Sequence, residues 1–231
     1  AELKLDGLQM YATNGEHAPE NLSGKKAKEL LQYVKDSGLR FSALCGDLGH
    51  GFGDKELNPS LIEKSKRILD LSKELECDIV TTHIGVVPES PEHERYKIMQ
   101  AACAELAEYA DSVDAHFAIE TGPETSATLK KFLDSLGSRG VGVNLDPANL
   151  VMVTGDDPVK AVHNLKDYIV HTHAKDGILI KHADLEVMYG VRRDPDFRES
   201  DYCREVLLGE GDVDWKKYLA ALDEIGYTGY L

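Results

Sequence analysis

Four short apolar runs in this chain each end on a side chain able to bind a divalent metal: DIVTTH on His83, HFAIE on Glu120, VGVNLD on Asp146 and IVHTH on His173. Two imidazoles and two carboxylates form the N and O donor set of a catalytic metal centre that keeps positions open for substrate. The four residues are far apart in sequence, so this chemistry exists only if the fold gathers the four ends. Each run is short and β-branched, with Gly or Pro just downstream (Gly85, Gly122, Pro147, Gly177), the pattern of a buried parallel strand. In a barrel of parallel strands the C-terminal strand ends face one shared mouth, where polar residues meet.

The elements that must do this gathering alternate along the chain. A strand at 5–11 precedes a helix near 24–37, for which Ser23 is the expected cap, Ala27, Leu30, Leu31 and Val34 the apolar face, and Gly38 the stop. Strand 40–45 leads to a helix at 59–76 opened by Asn58-Pro59, and the strand ending at His83 leads to one opened by Ser90-Pro91. Strand 116–120 precedes a helix near 125–137, and strand 141–146 a short helix opened by Asp157-Pro158. Strand 168–173 precedes an irregular stretch, 176–211. A last helix begins near Trp215, with Asp212 or Asp214 as cap and Tyr218, Leu219, Leu222 and Ile225 inward, and YTGYL begins a further strand at 227–231. Seven strands and six crossovers without a hairpin signal imply a parallel sheet. No GxGxxG or GxxxxGK[ST] follows an early strand, which turns the reading away from a doubly wound nucleotide-binding sheet and toward a (β/α)8 TIM barrel.

At 231 residues a single barrel domain, 1–231, is the expected organisation. The eighth strand is expected to be the first, with its helix before Ala1, and the final helix to follow Leu231. On that expectation 227–231 pairs with the strand carrying His173 and leaves a gap facing 5–11.

The charge balance is 41 acidic against 26 basic residues, a net −15, which opposes nucleic-acid binding. No apolar run approaches the ~20 residues of a membrane span, and the first residues carry no signal-peptide pattern. Four widely spaced cysteines (Cys45, Cys77, Cys103, Cys203) without a CxxC pair point to reduced thiols and a cytoplasmic setting. The stretch 176–211 exceeds the ~12–15 residues usual for unstructured loops. It carries His182, Tyr189, Arg192 and Arg193 and is expected to be a lid, with an arginine over the mouth to grip an anionic substrate.

The segments AIETGPE, VNLDPANL and HTHAKD, in that order, resemble the xylose isomerase-like TIM-barrel superfamily of sugar phosphate isomerases and epimerases. Its members include ketose 3-epimerases, hydroxypyruvate isomerase, inosose dehydratase and the endonuclease IV type of repair enzyme. The resemblance covers nearly the whole chain. It implies Glu120, Asp146 and His173 as ligands of a divalent ion (Mn2+, Zn2+ or Mg2+), with a fourth ligand, a Glu of the last strand, just past Leu231. It also gives Glu120 an acid/base role in the chemistry of a metal-stabilised enediolate.

The implied activity is a metal-dependent sugar or sugar-phosphate isomerase or epimerase. A dehydratase of inositol-type or sugar-acid substrates and a catalytically silent sugar-binding barrel are the alternatives, and a homo-oligomer is compatible with either. Two departures bear on this. Asn149 stands where many relatives carry a His, and nothing in 176–214 matches the Asp-x-His ligand pair of the nuclease branch, so DNA repair is the least favoured activity. Lys175 stands as the only cation near the ligand His, where the epimerase branch shows an Arg.

The expected substrate contacts are therefore His83, Asn149, Lys175 and Arg192. His171, with the same strand parity as His173, is expected one layer deeper. Cys45 is expected to serve packing, GEGDVDW (209–215) to be structural, and Lys175–Asp176 to be a local ion pair at the strand exit. For Glu120 and Asp146 the competing reading is a structural ion pair inside the mouth.

Overall fold

The computed structural model describes residues 4–231. Six strands lie side by side in chain order, all parallel: β1 (Gly7–Tyr11), β2 (Arg40–Cys45), β3 (Ile79–Thr82), β4 (His116–Glu120), β5 (Val141–Leu145) and β6 (Ile169–Thr172). The order never reverses, as a doubly wound sheet would require, and this one-way winding is that of a barrel wall. The wall curls far enough for interior side chains of distant strands to meet. His171 Nε2 of β6 lies 3.4 Å from Ser42 Oγ of β2, and His173 Nε2, just past β6, lies 2.9 Å from Gln9 Oε1 of β1.

Helices α1 (Lys25–Asp36), α2 (Asn58–Glu74), α3 (Glu94–Ser112) and α4 (Ser126–Asp134), the single turn α5 (Pro147–Asn149) and α6 (Pro158–Leu165) fill the crossovers. Their apolar stripes seal the sheet's outer face: Ile68, Leu69 and Leu71 of α2, Met99 and Leu106 of α3, and Leu129 and Phe132 of α4 are all essentially buried with Leu44, Phe117 and Leu145. Phe52 meets Phe117 edge-on at 5.9 Å, and Tyr96 meets Phe132 at 5.2 Å, the arrangement the ring quadrupoles favour. Gly140 is fixed by this packing, because a Cβ there would stand 2.1 Å from the Ala107 carbonyl of α3.

Some caps follow the sequence and others do not. Asp157 accepts from Val159 N–H at 2.8 Å with Pro158 in the first turn, as expected, and Asp214 accepts from Lys217 N–H at 3.2 Å. Ser23 does not cap α1: Gly24 holds that position at φ 56°, and its N–H donates to Glu74 Oε2 at 2.6 Å. Asn58 turns inward and donates to the Phe52 carbonyl at 3.1 Å. Helix α3 starts beyond Pro91, capped by His93, whose Nδ1 accepts from Arg95 N–H. At α1 a distant partner, Glu74, takes the Gly24 N–H, whereas at α2 and α3 other nearby groups take over the expected contacts. In the last helix, α8 (Trp215–Glu224), Tyr218 and Leu222 are buried, but Leu219, expected inward, is exposed.

Two further expectations change. The segment 227–231 forms no strand. It is tied down by side chains instead, with Thr172 Oγ1 donating to the Tyr230 carbonyl at 2.9 Å and Tyr227 Oη at 2.8 Å. The Tyr230 ring rests on β1, where a Cβ on Gly7 would meet it at 2.8 Å. The segment therefore touches both β6 and β1, where a gap on the β1 side was expected.

The stretch 176–211 carries short regular elements where none was expected. Strands β7 (Asp176–Leu179) and β8 (Cys203–Val206) pair antiparallel and frame a short helix, α7 (Leu185–Met188). Asp176 is its anchor. Its carboxylate accepts from the N–H groups of Gly209, Gly211 and Val213 and from Trp215 Nε1 at 2.9 Å. These bonds hold it below the usual carboxylate range despite burial. Asp176 is thus committed to the structural 209–215 segment, and no Lys175–Asp176 pair forms.

Candidate metal centre

Strand ends deliver the central residues to one place. Glu120 is the last residue of β4, Asp146 follows β5, and His173 follows β6, its N–H bonded to the Leu145 carbonyl. One ligand atom from each lies within 4.8 Å of the other two. Atoms about 2.0–2.6 Å from a common ion stand at most about 4–5 Å apart, so one imidazole nitrogen and two carboxylate oxygens at this spacing fit a divalent cation. The neighbouring backbone is locked from inside: Thr121 Oγ1 accepts from Asp146 N–H at 2.8 Å and donates to the Asp146 carbonyl at 3.0 Å. Asp146 Oδ1 also accepts from Asn149 N–H at 2.9 Å and so caps the turn α5.

His173 is oriented from both sides. Nε2 faces Gln9 Oε1, while Nδ1 faces Asp146 Oδ2 at 3.3 Å and Glu120 Oε1 at 3.5 Å. Burial alone would lower its pKa, but the two carboxylates outweigh it and push it up to about 9. The proton on Nδ1 thus stands in for the cation that the carboxylates call for. Lys175 contributes a second positive charge: Nζ lies 2.9 Å from Asp146 Oδ2 and donates to Asn149 Oδ1 at 2.7 Å. Together these charges hold fully buried Asp146 ionised, below its usual range against the effect of burial.

The other expected residues are distributed as follows. Asn149 does not face outward: Nδ2 donates to Glu120 Oε1 at 3.2 Å and to the Thr121 carbonyl at 3.0 Å. His83 lies at the rim, with Nε2 3.7 Å from Glu120 Oε1 and Nδ1 3.0 Å from Asp47 Oδ2. Burial opposes its charge, yet the Asp47 and Glu120 carboxylates raise its pKa. His171 lies beneath His173, the two rings perpendicular with centroids 5.8 Å apart, and its Nδ1–H donates to Asn144 Oδ1 at 2.9 Å. Burial, and then the His173 charge, push it down to about 4. Arg192 joins no part of this cluster: it pairs with Asp184 of its own segment on the surface.

Four neighbours of the site carry no role in the reading from sequence. Asn144 donates to Glu120 Oε2 at 3.1 Å, and its signal was the two-residue parity it shares with Asp146. Gln9 sits on the interior face of β1. Asp47 lies two residues past the end of β2, in a glycine-rich segment. Glu124, four residues past Glu120, is buried with both oxygens unpartnered. Burial pushes its carboxyl up to about 8, and His83 and the Val87 amide pull the other way without prevailing.

A family model described as xylose isomerase-like TIM barrel matches residues 1–231. Among solved structures, the chain is similar to a xylose isomerase domain protein from Planctomyces limnophilus, at 25% identity and TM-score 0.82 over 99% of this chain and 81% of that one. It is similar in fold to an E. coli 3-keto-D-glucoside 4-epimerase, at 18% identity and TM-score 0.71 over 99% and 81%. An IOLI protein with a bound zinc atom aligns at 19% identity and TM-score 0.71 over 98% and 78%. No curated protein matches the sequence.

Proposed function

Because the chain belongs to the xylose isomerase-like TIM barrel family, we propose that it is a divalent-metal-dependent isomerase or epimerase of a sugar or sugar phosphate. The observation that carries this reading is the meeting of Glu120, Asp146 and His173 within 4.8 Å. The sugar epimerases among its structural neighbours support the same class. Glu120, Asp146 and His173 would hold the ion, with Mn2+, Zn2+ and Mg2+ all compatible with the donor set. A bound divalent ion would draw negative charge from a carbonyl and its neighbouring hydroxyl and so stabilise an enediolate.

The chain's own residues supply the proton chemistry. Glu120 Oε1 faces the rim between His83 and His173, where it would take a proton from the carbon beside the carbonyl. Returning that proton to the adjacent carbon isomerises the sugar, whereas epimerisation needs a second acid to protonate the opposite face of the same carbon. Asn144 and Asn149 each donate to one Glu120 oxygen and fix the direction in which the carboxylate points. Lys175 helps hold Asp146 ionised, and its Nζ, with Nε2 of the rim imidazole His83, would orient substrate oxygens. His83, whose pKa the Asp47 and Glu120 carboxylates raise against burial, is also placed to protonate a leaving hydroxyl, which gives dehydration as the second reading.

The direct test is hydrogen exchange. The metal-loaded protein would be incubated in D2O with aldose, ketose and cyclic ketone candidates, phosphorylated and not, and followed by NMR. Deuterium entering beside the carbonyl, and lost in Glu120→Gln, is the expected result. No exchange with any substrate in the presence of Mn2+, Mg2+ or Zn2+ would reject the reading.

A further inference from the structure

Tyr189 caps the C-terminus of the short helix α7 of the 176–211 segment, and its side chain reaches Gly122 and His83. Its hydroxyl lies against Gly122, two residues past Glu120: a Cβ on Gly122 would stand 2.8 Å from Tyr189 Oη and 3.7 Å from His83 Cδ2. The Tyr189 and His83 rings are 6.3 Å apart, tilted at 46°. The carboxylates of Glu124, Glu120 and Asp146 all bear on the hydroxyl and, after burial, keep it from ionising. It is therefore a donor at working pH, and it takes part in no hydrogen bond among the described residues. The ring below the hydroxyl is fixed by its packing on Met152, Val153 and Cys203. A rigidly seated donor without an acceptor, beside Glu120 and His83, has the character of a group waiting for a ligand oxygen.

We propose that Tyr189 is a substrate-contacting residue, its hydroxyl donating a hydrogen bond to a sugar hydroxyl on the Glu120–His83 side of the mouth. This assigns the segment's contribution to an aromatic donor in place of the arginine grip expected from sequence, since Arg192 is engaged by Asp184. Gly122 is the other half of the device. Only a residue without a side chain leaves room for the Tyr189 hydroxyl there.

The proposal rests on the sugar-acting reading above, and its test separates the two. Binding of D-fructose and of its singly deoxygenated analogues to the Mn2+-loaded protein would be measured by NMR titration, alongside turnover, for wild type, Tyr189→Phe and Gly122→Ala. Tyr189→Phe keeps the ring and its packing and removes only the donor. The expected result is about a tenfold weaker sugar affinity in Tyr189→Phe. Wild type should discriminate against one deoxy analogue by a similar factor, and Tyr189→Phe should not. Gly122→Ala, which leaves the donor in place but displaces it, should show the same loss, while Mn2+ affinity stays unchanged in both variants. Sugar binding without turnover in wild type would sink the catalytic reading and leave this contact standing. Equal sugar affinity in wild type and Tyr189→Phe, or undiminished discrimination by the variant, would overturn the contact even if the protein is active.

Discussion

Gln9 and His173 meet at 2.9 Å although Gln9 stands on the first strand of the six-stranded wall and His173 just past the last. The contact joins the curl of the sheet to the tautomer of a proposed ligand. With Nε2–H donated to Gln9 Oε1, the lone pair available on deprotonation is at Nδ1, the nitrogen that faces Glu120 and Asp146. Removing the amide should loosen the ring without removing a ligand. Gln9→Ala is expected to weaken Mn2+ or Zn2+ binding by about tenfold or more, with an unfolding midpoint close to wild type. A titration matching wild type would show that the ring is held by the carboxylates alone.

Metal binding should be strongly pH dependent. His173 carries a proton up to about pH 9 in the metal-free protein, and an ion must displace it. Near pH 7 each ion bound should release about one proton, and affinity should climb by up to about tenfold per pH unit until His173 is deprotonated. Calorimetry in two buffers of different ionisation enthalpy reads the proton count. A count near zero at pH 7 would contradict the charge state assigned to His173.

Glu124 should shape stability against pH in the opposite sense from an ion-paired carboxylate. Its folded-state pKa is raised from 4.5 to about 8 by burial. Between those values the folded chain holds a proton that the unfolded chain has lost. Stability contributed by the neutral carboxyl is therefore full below the lower value and declines as pH rises toward the upper one, by at most about 1.4 kcal/mol per pH unit. Urea unfolding of Glu124→Gln at several pH values should show a flatter profile than wild type across this window. Parallel profiles would mean that Glu124 is ionised and partnered in the fold.

Asp176 should matter to the fold more than to the chemistry. Its carboxylate gathers Gly209, Gly211, Val213 and Trp215, and removing it leaves buried N–H donors without an acceptor. Asp176→Ala is expected to destabilise by about 2–4 kcal/mol. Trp215 is the single tryptophan, so its fluorescence in a denaturant titration reports the change directly. A loss within about 0.5 kcal/mol would show that the 209–215 segment stands without this anchor.

The architecture and the four strand-end residues, His83, Glu120, Asp146 and His173, were legible in the sequence for one physical reason, while the family resemblance singled out the last three as ligands. Buried parallel strands need apolar runs, so a His, Glu or Asp closing such a run stands out, as in HFAIE and VGVNLD. The caps failed where another group met the side chain or backbone better, as the Phe52 carbonyl did for Asn58 and Glu74 for the Gly24 N–H. The 227–231 segment misled because YTGYL has strand composition, whereas its anchoring depends on Thr172 and on the bare backbone of Gly7. Arg192 was read for its charge, and no local pattern disclosed that Asp184, eight residues earlier, takes it up. Gln9, Asp47 and Tyr189 reach the site by curvature and by a folded-back segment, which periodicity does not encode. Asn144 was the residue within reach, since parity places it beside Asp146.

One ion held by three strand ends is what the proposed chemistry requires. Calorimetric titration of Mn2+ and of Zn2+ into wild type, Glu120→Gln, Asp146→Asn and His173→Gln, with folding checked by circular dichroism, measures this directly. The expected result is one ion per chain in wild type and an affinity lower by about a hundredfold or more in each folded variant. Wild-type affinity in any of the three, or binding of no ion by the wild-type chain, would contradict it.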